Sequence, residues 1–117
     1  MSEILMHKDG DQKIAEILSG SIVLENPRGI LDIMANCGAK NIILHKENVH
    51  PDFFDLRTGF AGEVLQKLVN YQVRLAVVGD FRDIKSDSFQ SLITESNRGN
   101  DVFFVEDVGE AKEVLFA

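Results

Sequence analysis

Two short stretches of this chain carry residues that could bind or be modified. Gly79-Asp80-Phe81-Arg82 ends the apolar run Val73-Arg74-Leu75-Ala76-Val77-Val78. A run of that kind reads as a buried strand, and its carboxyl end is where α/β sheets meet ligands and partners. An acid, an aromatic ring and a guanidinium there would form an edge for a protein partner or a small anion. Asp55-Leu56-Arg57-Thr58-Gly59 sets a hydroxyl between a charged pair and a glycine. Thr58 at the start of a helix would serve as an N-cap for exposed backbone N–H groups.

Other reactive side chains read more plainly. His7, His45 and His50 are spread along the chain, and His50 precedes Pro51-Asp52. Two histidines with Asp52 match no compact ligand spacing, so they read as loop or surface residues, with no metal expected. Cys37 is the single cysteine, which excludes an intrachain disulfide. It falls on the apolar stripe of an expected helix, where a thiol is packing rather than chemistry. No G-x-S-x-G, phosphate-binding loop or G-x-G-x-x-G follows a strand. The sequence therefore names no catalytic residue and no cofactor.

The elements that position these residues can be read along the chain. Glu3 to His7 and Lys13 to Leu18 form a hairpin around Asp9-Gly10. Ser21 to Glu25 is either a short extended piece or a lead-in to a helix. Asn26-Pro27 predicts a helix start, with Ile30, Ile33, Met34 and Cys37 inward and Gly38 as its cap. Asn41 to His45 is a short strand. A helix ending near Tyr71 carries Ala61, Val64, Leu65 and Leu68. A helix over Ser86 to Ser96 ends near Gly99, with Arg98 complementing its dipole, and faces Phe89, Leu92 and Ile93 inward. Asp101 to Val105 is the last strand, with Phe103 and Phe104 on opposite faces, and Asp107 caps the final helix. Phe53, Phe54 and Phe60 form either a docking patch or an anchor for a loop.

This order predicts one α/β domain over residues 1–117, with a mainly parallel sheet of about five strands and about four helices. Right-handed crossovers bring helix starts and strand ends to one border. Asn26, Asp55, Arg57, Thr58, Gly59, Gly79, Asp80, Phe81, Arg82, Ser86 and Asp107 then share it.

The 117 residues carry a net charge of −7, with 44% apolar and 26% charged residues. That balance fits a water-soluble domain of cytoplasmic type and argues against nucleic acid and anionic membranes as partners. No apolar run is long enough to span a bilayer, and the first residues lack the pattern of a signal peptide.

Asn26-Pro27-Arg28, Phe53-Phe54-Asp55-Leu56 and Val78-Gly79-Asp80-Phe81 resemble segments of a small bacterial family labelled only as a domain of unknown function. More distantly, the leading hairpin, Leu18-Ser19-Gly20 and the alternating strand–helix order resemble SpoIIAA-like and STAS domains. That second resemblance implies a non-enzymatic regulatory or protein-interaction module, switched by phosphorylation of a hydroxyl before a glycine. Thr58 stands at the comparable place, although Leu56 and Arg57 interrupt the tighter family pattern. A phosphate on Thr58 would gain from the helix dipole, with Arg57 as its countercharge. The alternatives are a small-ligand domain using the same border, or an enzyme of unknown chemistry. A homodimer through an edge strand or helix face is also compatible with the pattern.

Overall fold

Two seven-residue strands open the chain, and the backbone between them turns in two residues. The computed structural model describes residues 3–117. Met1 and Ser2, where the reading against a signal peptide begins, lie outside the described residues. Strand β1 (Glu3–Asp9) pairs antiparallel with β2 (Gln12–Leu18), from Glu3 opposite Leu18 to Asp9 opposite Gln12. Gly10, at φ 61°, takes the first turn position, which an L side chain resists. The hairpin is therefore tighter than the five-residue loop read from sequence.

The chain continues through α1 (Gly29–Cys37), β3 (Asn41–His45), α2 (Phe60–Tyr71), β4 (Arg74–Val78), α3 (Asp87–Arg98), β5 (Val102–Val105) and α4 (Val108–Phe116). The expected class is found: a five-stranded mixed sheet with four helices. Its spatial order is β1-β2-β3-β4-β5, and β2 to β5 are parallel.

That order fixes which face each helix covers. Strands added always on the same side, by right-handed crossovers, place every crossover helix on one face. Accordingly Ile30 and Ile33 of α1, Val64 and Leu68 of α2 and Phe89 of α3 pack with Ala15, Ile42, Leu44, Leu75, Val77 and Phe104. The opposite face holds Ile14, Ile43, Ala76, Val78, Phe103 and Val105, and α4 alone covers it with Ala111 and Leu115. Phe103 and Phe104 thus point to opposite cores, as alternation requires. Arg74 fastens α4 to the sheet. Its guanidinium donates to the carbonyls of Asn100 (2.9 Å), Leu115 (3.0 Å) and Val114 (3.0 Å), and stacks over the Phe103 ring. The carbonyls that end α4 are capped in this way.

Two helix starts differ from the expectation. Helix α1 begins at Gly29, not at Pro27, because Asn26 to Leu31 first closes i to i+3 backbone bonds. Asn26 Oδ1 accepts from Gly29 N at 3.1 Å, so it caps this tighter turn. Helix α2 begins at Phe60 after three one-turn 3₁₀ segments, Lys46–Asn48, Pro51–Phe54 and Leu56–Thr58. Asp107 caps α4 as expected, accepting from Glu110 N, whereas Ser86, read as the first residue of its helix, is the cap of α3 and accepts from Phe89 N. Gly99 ends α3 in extended geometry (φ −93°) rather than in the left-handed form of a glycine cap.

The two borders of the sheet are finished differently. At β5, which is four residues long, Asn97 of α3 occupies the free edge: its Nδ2 donates to Phe104 O (3.1 Å) and its Oδ1 accepts from Phe104 N (2.8 Å). One side-chain amide there replaces a neighbouring strand. Among the described residues, no such group bonds the outer edge of β1. No helix of the described residues is long and apolar enough to cross a membrane.

Candidate functional site

Strands β3, β4 and β5 end in register, His45 beside Val78 and Val78 beside Val105. The loops leaving them form one border, and the residues singled out from sequence gather there. Asp55-Leu56-Arg57 and Asp80-Phe81-Arg82 fold into the same small structure twice. In each, an aspartate oxygen accepts from the backbone N–H two residues on, at 3.1 and 3.0 Å. The same carboxylate accepts from Nε and Nη2 of the arginine, at 2.8–3.0 Å. The aspartate thereby orients the guanidinium without burying it, and Arg57 and Arg82 remain 91% and 90% exposed. The Arg82 hydrogen bonds hold the Asp80 carboxyl well below the usual range, and Arg57 does the same, less strongly, to Asp55.

Phe54 and Phe81 join the two turns, their rings 6.0 Å apart. Phe53 and Phe60 are buried behind them, so these rings anchor the loop, and Phe54 and Phe81 are left half-exposed. A cleft of about 630 Å³ lies beside them, with Ile22, Val49, Phe54 and Ile84 as apolar walls and Lys46 at its side. Lys46 crosses the end of β4 to reach the Asp80 carbonyl and the Asp83 carboxylate, 2.6 Å each. A methyl group on Gly79 would sit 2.6 Å from Lys46 Cβ, so the glycine before Asp80 is required by this crossing.

Thr58 is held in the last 3₁₀ turn before α2. Its hydroxyl contacts the carbonyls of Asp52 (2.7 Å) and Asp55 (2.8 Å) and accepts from Phe60 N (3.2 Å). It satisfies the first N–H of α2 from outside the helix, since Gly59 is the N-cap. Arg57 is already paired with Asp55, so it is not a free countercharge for a group on Thr58.

A second cluster lies on the face that α4 covers only in part. Glu16 of β2 is buried, and its two oxygens accept from His7 Nε2 and His45 Nε2, 2.8 Å each. Burial pushes Glu16 up, but the hydrogen bonds and charges of His45 and His7 together bring it below the ordinary carboxylate value. The ionised carboxylate only accepts, so both Nε2 atoms carry hydrogen and each ring keeps Nδ1 for another partner.

A family model for a domain of unknown function, DUF4180, matches residues 9–115. The chain belongs to the DUF4180 family. No curated protein matches it.

In this DUF4180 domain, sequence reasoning placed His45 near the border but missed its partners. The available signal was Glu16, an acid between Ile14 and Leu18 on the face that Ile14 buries. His7 lies beside Ile14 across the hairpin, and His45 ends the adjacent strand. His50 acts elsewhere, where its Nδ1 accepts from Asp52 N at 3.0 Å and caps the turn at Pro51. Among the described residues, no three His, Cys, Asp or Glu side chains are grouped to hold a metal ion. Cys37 is buried against the main core, and burial pushes its thiol up, away from the reactive thiolate.

Glu16 makes stability pH-dependent in a defined direction. Its carboxyl binds protons less tightly in the fold than in the open chain, where the value is near 4.5. It therefore stabilises the fold above that value and loses this contribution as pH falls through its lowered folded value. Urea unfolding between about pH 5 and pH 3 should show a steeper loss for the wild type than for Glu16→Gln. Asp55, Asp80 and Asp83 are common to both proteins and cancel in the comparison. Parallel profiles would show that Glu16 is not held ionised by its histidines.

Proposed function

We propose that this DUF4180 domain is a non-enzymatic regulatory module that binds a partner protein through the carboxyl border of its sheet. The observation that carries the reading is the paired Asp-x-Arg construction. Two guanidiniums are held outward by their own aspartates, in turns that also carry or adjoin the half-buried rings of Phe54 and Phe81. An arginine pre-organised in this way keeps its outward Nη1 group for a partner's acceptor oxygen and loses little freedom on meeting it, and arginine and aromatic side chains are enriched in the cores of protein interfaces. The partner surface that fits offers acceptor oxygens at its rim and apolar side chains at its centre.

The STAS-like reading adds a switch. A phosphate on Thr58 could not keep the hydroxyl's donation to the Asp52 and Asp55 carbonyls, so the loop from Pro51 to Gly59 would loosen and move Phe54. The cytoplasm is the compartment this role fits.

A partner captured from the host and then purified gives the test. Arg57→Glu/Arg82→Glu should weaken its binding at least tenfold in calorimetry while the far-ultraviolet dichroism stays unchanged. Equal binding by that variant would remove the border from the interaction. For the switch, Thr58→Glu should change the affinity, and an intact-mass shift should follow incubation with cell extract. If neither changes, Thr58 is structural.

The cleft beside Lys46 favours a second reading, a small anionic or apolar ligand at the same border. A molecule copurifying in native mass spectrometry, and lost in Ile84→Trp, would favour it over a protein partner. The convergence of His7, Glu16 and His45 is what an enzyme of unknown chemistry would draw on.

A further inference from the structure

We infer that β1 is the site at which two copies of this chain pair, through an antiparallel β1–β1 contact with Leu5 on the two-fold axis. The inference is independent of the carboxyl border. It starts from the unequal finish of the sheet. The β5 edge is short and plugged by Asn97. The β1 edge runs for seven residues with an unbroken register to β2 and no proline or bulge. Three of its residues, Ile4-Leu5-Met6, are apolar, with Ile4 36% and Leu5 46% exposed, and they lie between Glu3 and the polar run His7-Lys8-Asp9. Lys8 and Asp9 charge one end of this edge, but its apolar stretch is regular and no side chain or loop among the described residues bonds it, so it can take another strand.

Symmetry then narrows the partner's register. An antiparallel pair of identical strands in one continuous sheet is related by a two-fold axis normal to the sheet, which keeps each face on its own side. Residues directly opposite share a face. In β1 the odd positions lie on the α4 side, because Leu5 and His7 stand opposite Glu16 and Ile14, and the even positions face the main core. Odd must therefore meet odd, and the axis must pass through a residue.

Charge and polarity choose among the registers. An axis at Met6 sets Glu3 against the partner's Asp9 on both sides and Ile4 against its Lys8. An axis at His7 sets Leu5 against Asp9 and Met6 against Lys8. An axis at Ile4 engages only Glu3 to Leu5 among the described residues. An axis at Leu5 sets Leu5 against Leu5, Ile4 against Met6 and Glu3 against His7. Among the described residues, only this register matches apolar with apolar and carboxylate with imidazole, over the paired span Glu3 to His7. It brings a second acid beside the His7–Glu16–His45 cluster, so the partner copy contributes Glu3 to that site. The interface is small, which implies a dimer that forms and dissociates with concentration.

Cysteine cross-linking reads the register directly. In a Cys37→Ala background, Leu5→Cys places two thiols on directly opposed residues, with Cα atoms about 4.5–5.5 Å apart, within disulfide reach. Met6→Cys leaves its two copies diagonal, about 7–8 Å apart, which is too far. Mild oxidation should give a covalent dimer with Leu5→Cys and not with Met6→Cys. In sedimentation equilibrium the wild type should self-associate, and Leu5→Lys should weaken this at least tenfold while keeping its dichroism. Cross-linking by Met6→Cys alone would overturn the register. A wild type that stays monomeric up to its solubility limit, or association unaltered in Leu5→Lys, would overturn the inference.

Discussion

Phe53→Ala is expected to lower the unfolding free energy by about 3–5 kcal/mol, the usual range for emptying a buried aromatic site. Phe53 is 1% exposed. Its ring lies 5.3 Å from Phe54, 5.7 Å from Phe60, 6.1 Å from Phe89 and 6.3 Å from Phe104. These neighbours belong to the β3–α2 loop, α2, α3 and β5, so one side chain ties four elements together. Three of the contacts are edge-to-face or close to it, a geometry that adds to the area term. Alanine would leave a void among rings too rigid to close over it. A domain of this size is stable by roughly 5–15 kcal/mol, so the variant should stand close to its unfolding threshold. Urea titration followed by dichroism measures this. A loss below about 1 kcal/mol would mean that the loop is not anchored through this ring.

Asn48→Leu is the second large effect, at about 2–4 kcal/mol, and it comes from unpaired polar groups rather than from a void. Asn48 is fully buried. Its Oδ1 accepts from His45 N at 2.8 Å, and its Nδ2 donates to the carbonyls of Ser19 (2.8 Å) and Ser21 (3.0 Å). Its own carbonyl accepts from Val23 N and Leu24 N, at 2.8 and 2.9 Å. The chain leaving β2 is thus bound to the end of β3 by one residue. Leucine has a similar volume but pairs with none of these groups. Ser21 is exposed and its carbonyl can turn to water, so the loss is smaller than three full bonds. Thermal unfolding should show a midpoint lowered by roughly 10 °C. A shift of only a degree or two would show that water replaces the amide readily.

Asn48 also marks where sequence reasoning stopped. The strands, their succession along the chain and the mainly parallel arrangement were legible because Val, Ile and Phe alternate or cluster in short runs bounded by Gly, Asn and Asp. The caps Asp107 and Gly38 were legible because each acts on its own local turn. The start of α2 was not, since three 3₁₀ turns have no periodicity long enough to recognise, and Thr58 was placed one element too late. Ser21 to Glu25 stayed ambiguous because Leu24 meets Val49 in a single bridge, a contact far off in the chain. The border residues Asp55, Arg57, Asp80 and Arg82 were found as types, yet their pairing within each turn was not anticipated. The His7–Glu16–His45 cluster was signalled only by Glu16 on the face of Ile14, and its partners were missed because it joins three strands and depends on which face α4 leaves open.

The amide of Asn97 also limits stoichiometry. Each chain has one border where strands can be added and one that is sealed from within. Joining two chains at their open borders uses up both, leaving sealed margins at either end. In the β1 pairing inferred above, growth would therefore stop at a pair, and the route to an endless ribbon, which needs two receptive sides per unit, would be closed by one side chain.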